Sequence, residues 1–337
     1  MTLKASFLIL VLAFGVFGSP KAAFAWSAFG HLTICDLAYR NTTETTREEL
    51  DKLFQVDEGG IEVKDRHGTV DRWYTSFNIG CLEEDEHPRK NPKDHFLNIS
   101  RDTSAITAST CPGTGSCIFE GIERDLEILS DTARSNEDRV FALMAIGHWI
   151  GDLHQPLHVS FKDDRGGNKI EVKLEGKCGT ARRKPRNLHA MWDFCLLEAG
   201  LFERVRQSAT FRPEWSKNTI TYRAVDLLQD ATSHQEEKEI VQGNTREWAN
   251  ESFEITLASD VLYCEMQDGF CRYSSTSEEY DGGSERELDL DQSYLRQFED
   301  IASERARFAG LRLAHLINTA LDPEYSEPIQ NSTQAPN

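Results

Sequence analysis

Apolar residues recur at helical spacing along most of the chain, and glycine, proline and charged clusters interrupt that rhythm. The pattern predicts helices over residues 26–38, 46–53, 119–130, 137–154, 187–199, 219–228, 234–262 and 294–318. Within the fourth, Val140 to Ile146 is apolar on nearly every side, which marks a buried helix. Residues 57–70 are rich in glycine and charge and read as loop. Residues 81–117 carry Pro88, Pro92, Pro112, Gly113 and Gly115 and also read mostly as loop. Asp163 to Asn168 has turn composition. Alternation over residues 169–174 predicts a strand, one arm of a small hairpin. An acidic Gly/Ser loop is expected over residues 274–287 and a disordered polar tail after Pro323. No repeat or linker is visible. The expectation is an all-α protein, one mainly helical domain with a small β-hairpin.

The first 25 residues differ from the rest. Lys4 precedes an apolar run from Phe7 to Phe17, and Ala23-Phe-Ala25 has the small-x-small form of a cleavage site. The expected organisation is a removed signal peptide (1–25), one domain (26–322) and a tail (323–337), with Trp26 as the mature N-terminus. The alternative is an uncleaved anchor. No later stretch is long and apolar enough to span a bilayer. Eight cysteines fit an oxidised, exported chain, secreted or periplasmic. None has C-x-x-C spacing, so a thiolate zinc site is disfavoured. Cys111–Cys117 and Cys264–Cys271 are near enough in sequence to staple loops; for the other four, which allow three pairings, Cys35–Cys81 with Cys178–Cys195 is a guess. Net charge is −19, an acidic balance that does not attract polyanions non-specifically. The dense basic run Arg182-Arg-Lys-Pro-Arg186 is either a solvated loop or a local phosphate-steering patch. Sequons occur at Asn41, Asn98, Asn250 and Asn331.

The chemistry concentrates between Ala145 and His158. His148 and Asp152 are one helical turn apart on one face, and Pro156 bends the chain before His158. Buried imidazole and carboxylate are costly unless paired or metal-bound. Alone, the pair reads first as a helix-end hydrogen bond and only second as a ligand pair. His189 and Asp193 repeat the spacing on another predicted helix. His95 stands beside Phe96, Asp71 between Val70 and Trp73, and His31 shortly after Trp26. Imidazoles and carboxylates without thiolates suit zinc in a catalytic centre.

These motifs resemble the zinc-dependent S1/P1-type nuclease family over nearly all of the mature chain. The matching features are Trp26 with Gly30-His31; His148-Trp-Ile-Gly-Asp-Leu-His-Gln-Pro-Leu-His158; Gly166-Gly-Asn168; Asn187-Leu-His-Ala-Met-Trp-Asp193; and His95-Phe96. Trp248 to Ser252 and Ala309 to Ala314 also look like family segments. The resemblance implies a phospholipase C/nuclease-like fold and three zinc ions. Asp71, His95, His148 and Asp152 would hold the first; His158, His189 and Asp193 the second. Trp26, through its α-amine and carbonyl, His31 and a bridging Asp152 would hold the third. Asp71 and Asp152 would be catalytic, with Asp71 also orienting the attacking water. The implied substrates are single-stranded DNA and RNA, cut to 5′-phosphorylated products, and 3′-nucleotides, with the enzyme a monomer.

Some positions depart from the family. An arginine often stands three residues after the first metal aspartate, but here that position is Tyr74, and Arg72 is the nearest arginine. A commonly acidic base-contacting position is Asn98, which offers a donor as well as an acceptor. Phe96 is read as a base-stacking or a core aromatic, and Asn168 as a turn residue that also lines the cleft. His154 has no ligand role and either orients a carboxylate or caps the helix. Zinc phospholipase C shares a similar central motif and is the first alternative; a non-catalytic exported zinc-binding protein is the second.

Overall fold

The computed structural model describes residues 26–64, 67–113, 115–178, 184–231, 233–272 and 286–326. The expected signal, most of the acidic loop, Asn331 and most of the tail lie outside the described residues. The first helix, α1 (Ala28–Arg40), buries Phe29, His31, Ile34, Leu37 and Ala38. Thr43 caps α2 (Glu44–Leu53) by accepting from the Thr46 amide. Next come β1 (Ile61–Lys64), β2 (Val70–Tyr74), the single turn α3 (Phe77–Gly80) and β3 (Leu97–Ile99). The pair α4 (Ile118–Ser130) and α5 (Asn136–Leu153) packs face to face, and α5 is buried almost throughout. Ser135 caps α5 through the Asp138 amide.

Beyond the bend at Pro156 lie β4 (Val159–Phe161), β5 (Ile170–Leu174) and the short α6 (Leu188–Ala190). The latter runs through a wider π turn, Met191–Cys195, into α7 (Leu196–Gln207). Then follow α8 (Lys217–Asp230), α9 (His234–Ile240), α10 (Thr245–Leu257), β6 (Glu265–Gln267), β7 (Phe270–Arg272), β8 (Arg286–Leu290) and the long α11 (Gln292–Leu321). Helix α11 packs on α1, α5 and α7 and so backs the helices that carry the site. The fold is mainly helical, as expected, with four two-stranded sheets among the described residues.

Three local expectations need correction. The strand over 169–174 is not a hairpin arm: β5 pairs in parallel with the distant β8, Ile170 opposite Arg286. The stretch 57–70 is not wholly loop, because β1 pairs antiparallel with β2, burying Ile61 and Val63 while Glu62 and Lys64 face water. The helix over 234–262 is broken. Gly243 takes φ 89° and Asn244 forms a capping box with Glu247, which starts α10 afresh. All four expected disulfides are present: Cys35–Cys81, Cys111–Cys117, Cys178–Cys195 and Cys264–Cys271. Among the described residues, no helix is long and apolar enough to cross a membrane.

Candidate metal centre

Asp152 sits at the end of α5 with no exposure, and four histidines from four segments surround it. His31 on α1 places Nε2 3.4 Å from its Oδ1. His95, just before β3, places Nδ1 3.1 Å from Oδ2, and His148, one turn back on α5, places Nε2 3.4 Å from the same oxygen. His158, beyond the Pro156 bend, is 3.7 Å away through Nδ1. A second focus lies alongside. Asp193 Oδ1 is 3.6 Å from His158 Nε2 and 3.5 Å from His189 Nε2, and it accepts a hydrogen bond from the Gln155 amide at 2.5 Å. Trp26 is fully buried between the two: its indole donates to the Gly151 carbonyl at 2.8 Å, and the Ser27 amide donates to the Asp193 carbonyl at 2.8 Å.

Backbone carbonyls orient the rings. His148 Nδ1 faces the Cys81 carbonyl at 2.8 Å, His158 Nδ1 the His95 carbonyl at 2.5 Å and His189 Nδ1 the Gly166 carbonyl at 2.7 Å. A carbonyl only accepts, so each facing nitrogen carries the proton and Nε2 presents its lone pair to the carboxylates. Burial drives His31 and His95 well below the ordinary imidazole range, lowers His148 and His189, and brings His158 to about 4. It raises Asp152 well above the usual carboxylate range and Asp193 to about 7.

The protein's own groups leave this cluster unsatisfied. Both ring nitrogens of His31, Nε2 of His95, Nε2 of His158 and Oδ1 of Asp152 are buried without a hydrogen-bond partner. Such atoms cost about 1–3 kcal/mol each when nothing binds them. Metal-ion coordination removes that cost. Three groups have ligand atoms mutually within 4.8 Å: His31, Asp85 and His148; His95, His148 and Asp152; and His158, His189 and Asp193. Neutral imidazoles with carboxylates form the donor set of a catalytic zinc site.

The aspartate expected at position 71 is not part of this arrangement. Asp71 lies on β2, about half exposed, with its carboxylate 2.7 Å from Arg72. Alternation along β2 turns Tyr74 into the core and leaves Asp71 at the surface. Asp85 stands where Asp71 was expected, 3.8 Å from His148 Nε2. Arg89 donates to Asp85, and its charge acts on all five of the site's histidines and on both Asp152 and Asp193. Neither residue stands out in the sequence. The one signal is an Asp and an Arg flanking Pro88 soon after Cys81, inside a stretch that reads as loop.

The expected substrate residues are placed less tightly. Phe96 and Asn98 are half-buried at β3, beside His95. Arg72 is occupied by Asp71 and by the buried Glu83, 2.9 Å from Nε. Asn168 is held in its turn, donating to the Arg165 carbonyl at 2.8 Å and accepting from Asn187 at 3.4 Å. In the basic run, Arg182 and Arg183 lie outside the described residues, and Lys184 donates to the Leu174 carbonyl at 2.7 Å. His154 turns its ring nitrogens to Ile150 and Arg312 rather than to either metal-facing carboxylate.

A buried histidine–aspartate cluster reached through a mainly helical scaffold defines a candidate metallohydrolase. Comparison with known proteins sharpens the class. The S1/P1 Nuclease family model matches residues 26–322, and the chain belongs to that family, whose members are endonucleases. Endonuclease 1 of Arabidopsis thaliana is 24% identical over 333 residues, covering 95% of this chain and 94% of its own length. Endonuclease 4 of the same plant is 26% identical, covering 63% of this chain and 71% of its own. Nuclease P1 of Penicillium citrinum is 36% identical over 176 residues, covering 50% of this chain and 57% of its own.

Proposed function

We propose that this nuclease is an exported, zinc-dependent phosphodiesterase that cleaves single-stranded DNA and RNA to 5′-phosphorylated products and removes phosphate from 3′-nucleotides. The observation that carries this reading is the buried, unpartnered donor set around Asp152. Asp85, His95, His148 and Asp152 would hold one zinc; His158, His189 and Asp193 would hold a second. Trp26, once it is the N-terminal residue, would hold a third with His31 and Asp152. Bound zinc supplies Lewis acidity, acidifying water and offsetting charge on phosphate.

The chain's own groups do the rest. Burial keeps the five histidines neutral, so their lone pairs stay available. Asp152 turns Oδ1 toward His31 and Oδ2 toward His95 and His148, so it would serve the first and third zincs at once. Asp85 takes the part expected of Asp71. Arg89 takes the phosphate-holding part that Arg72, locked to Glu83, does not fill. Phe96 stacks on an unpaired base and Asn98 contacts its edge, which excludes duplexes whose base faces are hidden. Four disulfides among the described residues support an oxidising, extracytoplasmic location.

The test is metal analysis of the processed protein together with cleavage of single-stranded DNA, single-stranded RNA and phosphatidylcholine. The expected result is three zincs, nucleic-acid cleavage lost in EDTA and restored by zinc, and 5′-phosphate ends. Turnover of phosphatidylcholine alone would point to the phospholipase reading, and zinc without any phosphodiesterase activity to a binding protein.

A further inference from the structure

The loop from Lys162 to Lys169 has an unusual backbone. Arg165, Gly166 and Gly167 all take positive φ, at 58°, 62° and 78°. For the non-glycine Arg165 this is a strained conformation. A Cβ on Gly166 would collide with the carbonyl oxygen of Leu157. The result of this shape is that the Gly166 carbonyl meets His189 Nδ1 at 2.7 Å.

What holds the strained turn is Asp164, which is fully buried. Its Oδ1 accepts the Gly167 amide at 3.1 Å and the Tyr263 hydroxyl at 2.7 Å. Its Oδ2 accepts the Arg101 guanidinium at 3.0 Å. Tyr263 is itself fully buried and accepts from the Ser160 hydroxyl at 2.8 Å. Arg101 lies over the Phe161 ring, 4.1 Å from its centroid, and donates also to Asp163 at 2.9 Å. A buried ionic and hydroxyl network of this kind is a poor stabiliser compared with apolar packing, so the turn it holds calls for another account.

We propose that Asp164, Tyr263 and Arg101 form a positioning relay that sets the imidazole of His189 through the Gly166 carbonyl and so tunes the affinity of the His158, His189 and Asp193 group for its metal. The relay rests on that group being a zinc site. The carbonyl holds the Nδ1 proton, fixes the ring plane and raises the basicity of Nε2. Asp164 holds the carbonyl in place, and Tyr263 and Arg101 hold Asp164. None of the three touches a metal-facing nitrogen or oxygen.

The experiment is zinc titration of chelator-stripped wild type, Tyr263→Phe and Asp164→Asn, in competition with a chromophoric chelator. Tyr263→Phe removes only one hydroxyl, so a foldable variant is available even if Asp164→Asn fails to fold. Wild type should bind zinc at more than one class of site. In the variants one class should weaken by about 10–100-fold, the range for loss of an outer partner, with the others unchanged. Excess zinc should then restore kcat, whereas a merely loosened fold would weaken every class of site. Wild-type affinities at every site in the variants, or uniform weakening of all sites, would overturn the relay. Failure of wild type to bind zinc would instead overturn the metal reading beneath it.

Discussion

His154 accepts a hydrogen bond from Arg312, Nη1 to Nε2 at 2.9 Å, across the contact between α5 and α11. Its other nitrogen faces the Ile150 carbonyl at 2.8 Å. Glu251 of α10 binds both Arg305 and Arg312 at 2.7 and 2.6 Å, and Ser252 donates to the Leu153 carbonyl at 2.7 Å. Through this cluster the two family-like segments around Trp248 and Arg312 jointly secure the bend between Asp152 and His158. His154→Ala should therefore cost about 1–3 kcal/mol of stability, seen as a lower Tm, while zinc content stays at the wild-type value. Asp152→Ala should lose the two zincs that Asp152 would ligate and abolish activity. If His154→Ala lost zinc to the same degree, the division between frame and ligand would be wrong.

Asp85 and Asp71 make opposite predictions. Asp85→Asn should lose a zinc and drop activity by more than the roughly 10–100-fold expected for an outer partner. Asp71→Asn, at an exposed surface pair worth about 0–1 kcal/mol, should behave as wild type in both assays. Metal counting on the two variants decides between them.

Arg89→Ala tests the phosphate contact. Loss of one charge-assisted hydrogen bond of about 1.5–3 kcal/mol predicts a fall in kcat/KM of about 10–100-fold on single-stranded DNA. Arg72→Ala should leave kcat/KM nearly unchanged. Equal losses would return the role to Arg72.

Zinc binding should release protons in a defined window. In the metal-free protein Asp193 titrates at about 7, raised by burial, and His158 at about 4, lowered by burial. Below pH 7 Asp193 carries a proton that the metal must displace, whereas His158 is already neutral down to far lower pH. Affinity should therefore weaken as pH falls through 7, by up to tenfold per unit for that one proton. Calorimetry at pH 6 in buffers of different ionisation enthalpy should detect the release, to which Asp152, also raised by burial, adds. A release that vanished at pH 6 would exclude Asp193 as a ligand.

The proposed third zinc would depend on a free amine at Trp26. One extra residue before it should remove that zinc and leave the other two, read as the metal count of purified variants. An amide nitrogen is a poor ligand, and buried Trp26 has no room to yield its place. Three zincs in the extended protein would end the amine hypothesis.

Much of this was legible in the chain because it was local. The spacing of His148 to Asp152 and of His189 to Asp193 is a property of one helix each, and Val140 to Ile146 announces burial by composition. The two short-range cysteine pairs followed from sequence distance, whereas Cys35–Cys81 and Cys178–Cys195 were a guess among three pairings. Residues joined by tertiary approach were not legible. Asp85 gains its place only because Cys81 is tied to Cys35 and the chain then turns back over α5. The β5–β8 pair spans more than a hundred residues, so no local pattern marks it. Asp71 misled because an acidic residue between Val70 and Trp73 looks buried in sequence, whereas the strand's two-residue period puts it outside.

The Cys35–Cys81 bond crosses α5 so closely that a Cβ on Gly147 would collide with Cys81 Sγ and lie 3.0 Å from Cys35 Sγ. It thereby pins together the three segments that carry His31, Asp85 and His148, and the Cys81 carbonyl itself aims His148. Oxidation and metal capture would for that reason be linked steps if these ligands bind an ion as proposed. Chains that have closed this bond present preassembled ligands, and a bound ion in turn protects the bond from reductants by stabilising the folded state. In a thiol-rich compartment the same polypeptide would be a poor competitor for scarce zinc. The nuclease would therefore stay idle until the chain had passed into oxidising surroundings.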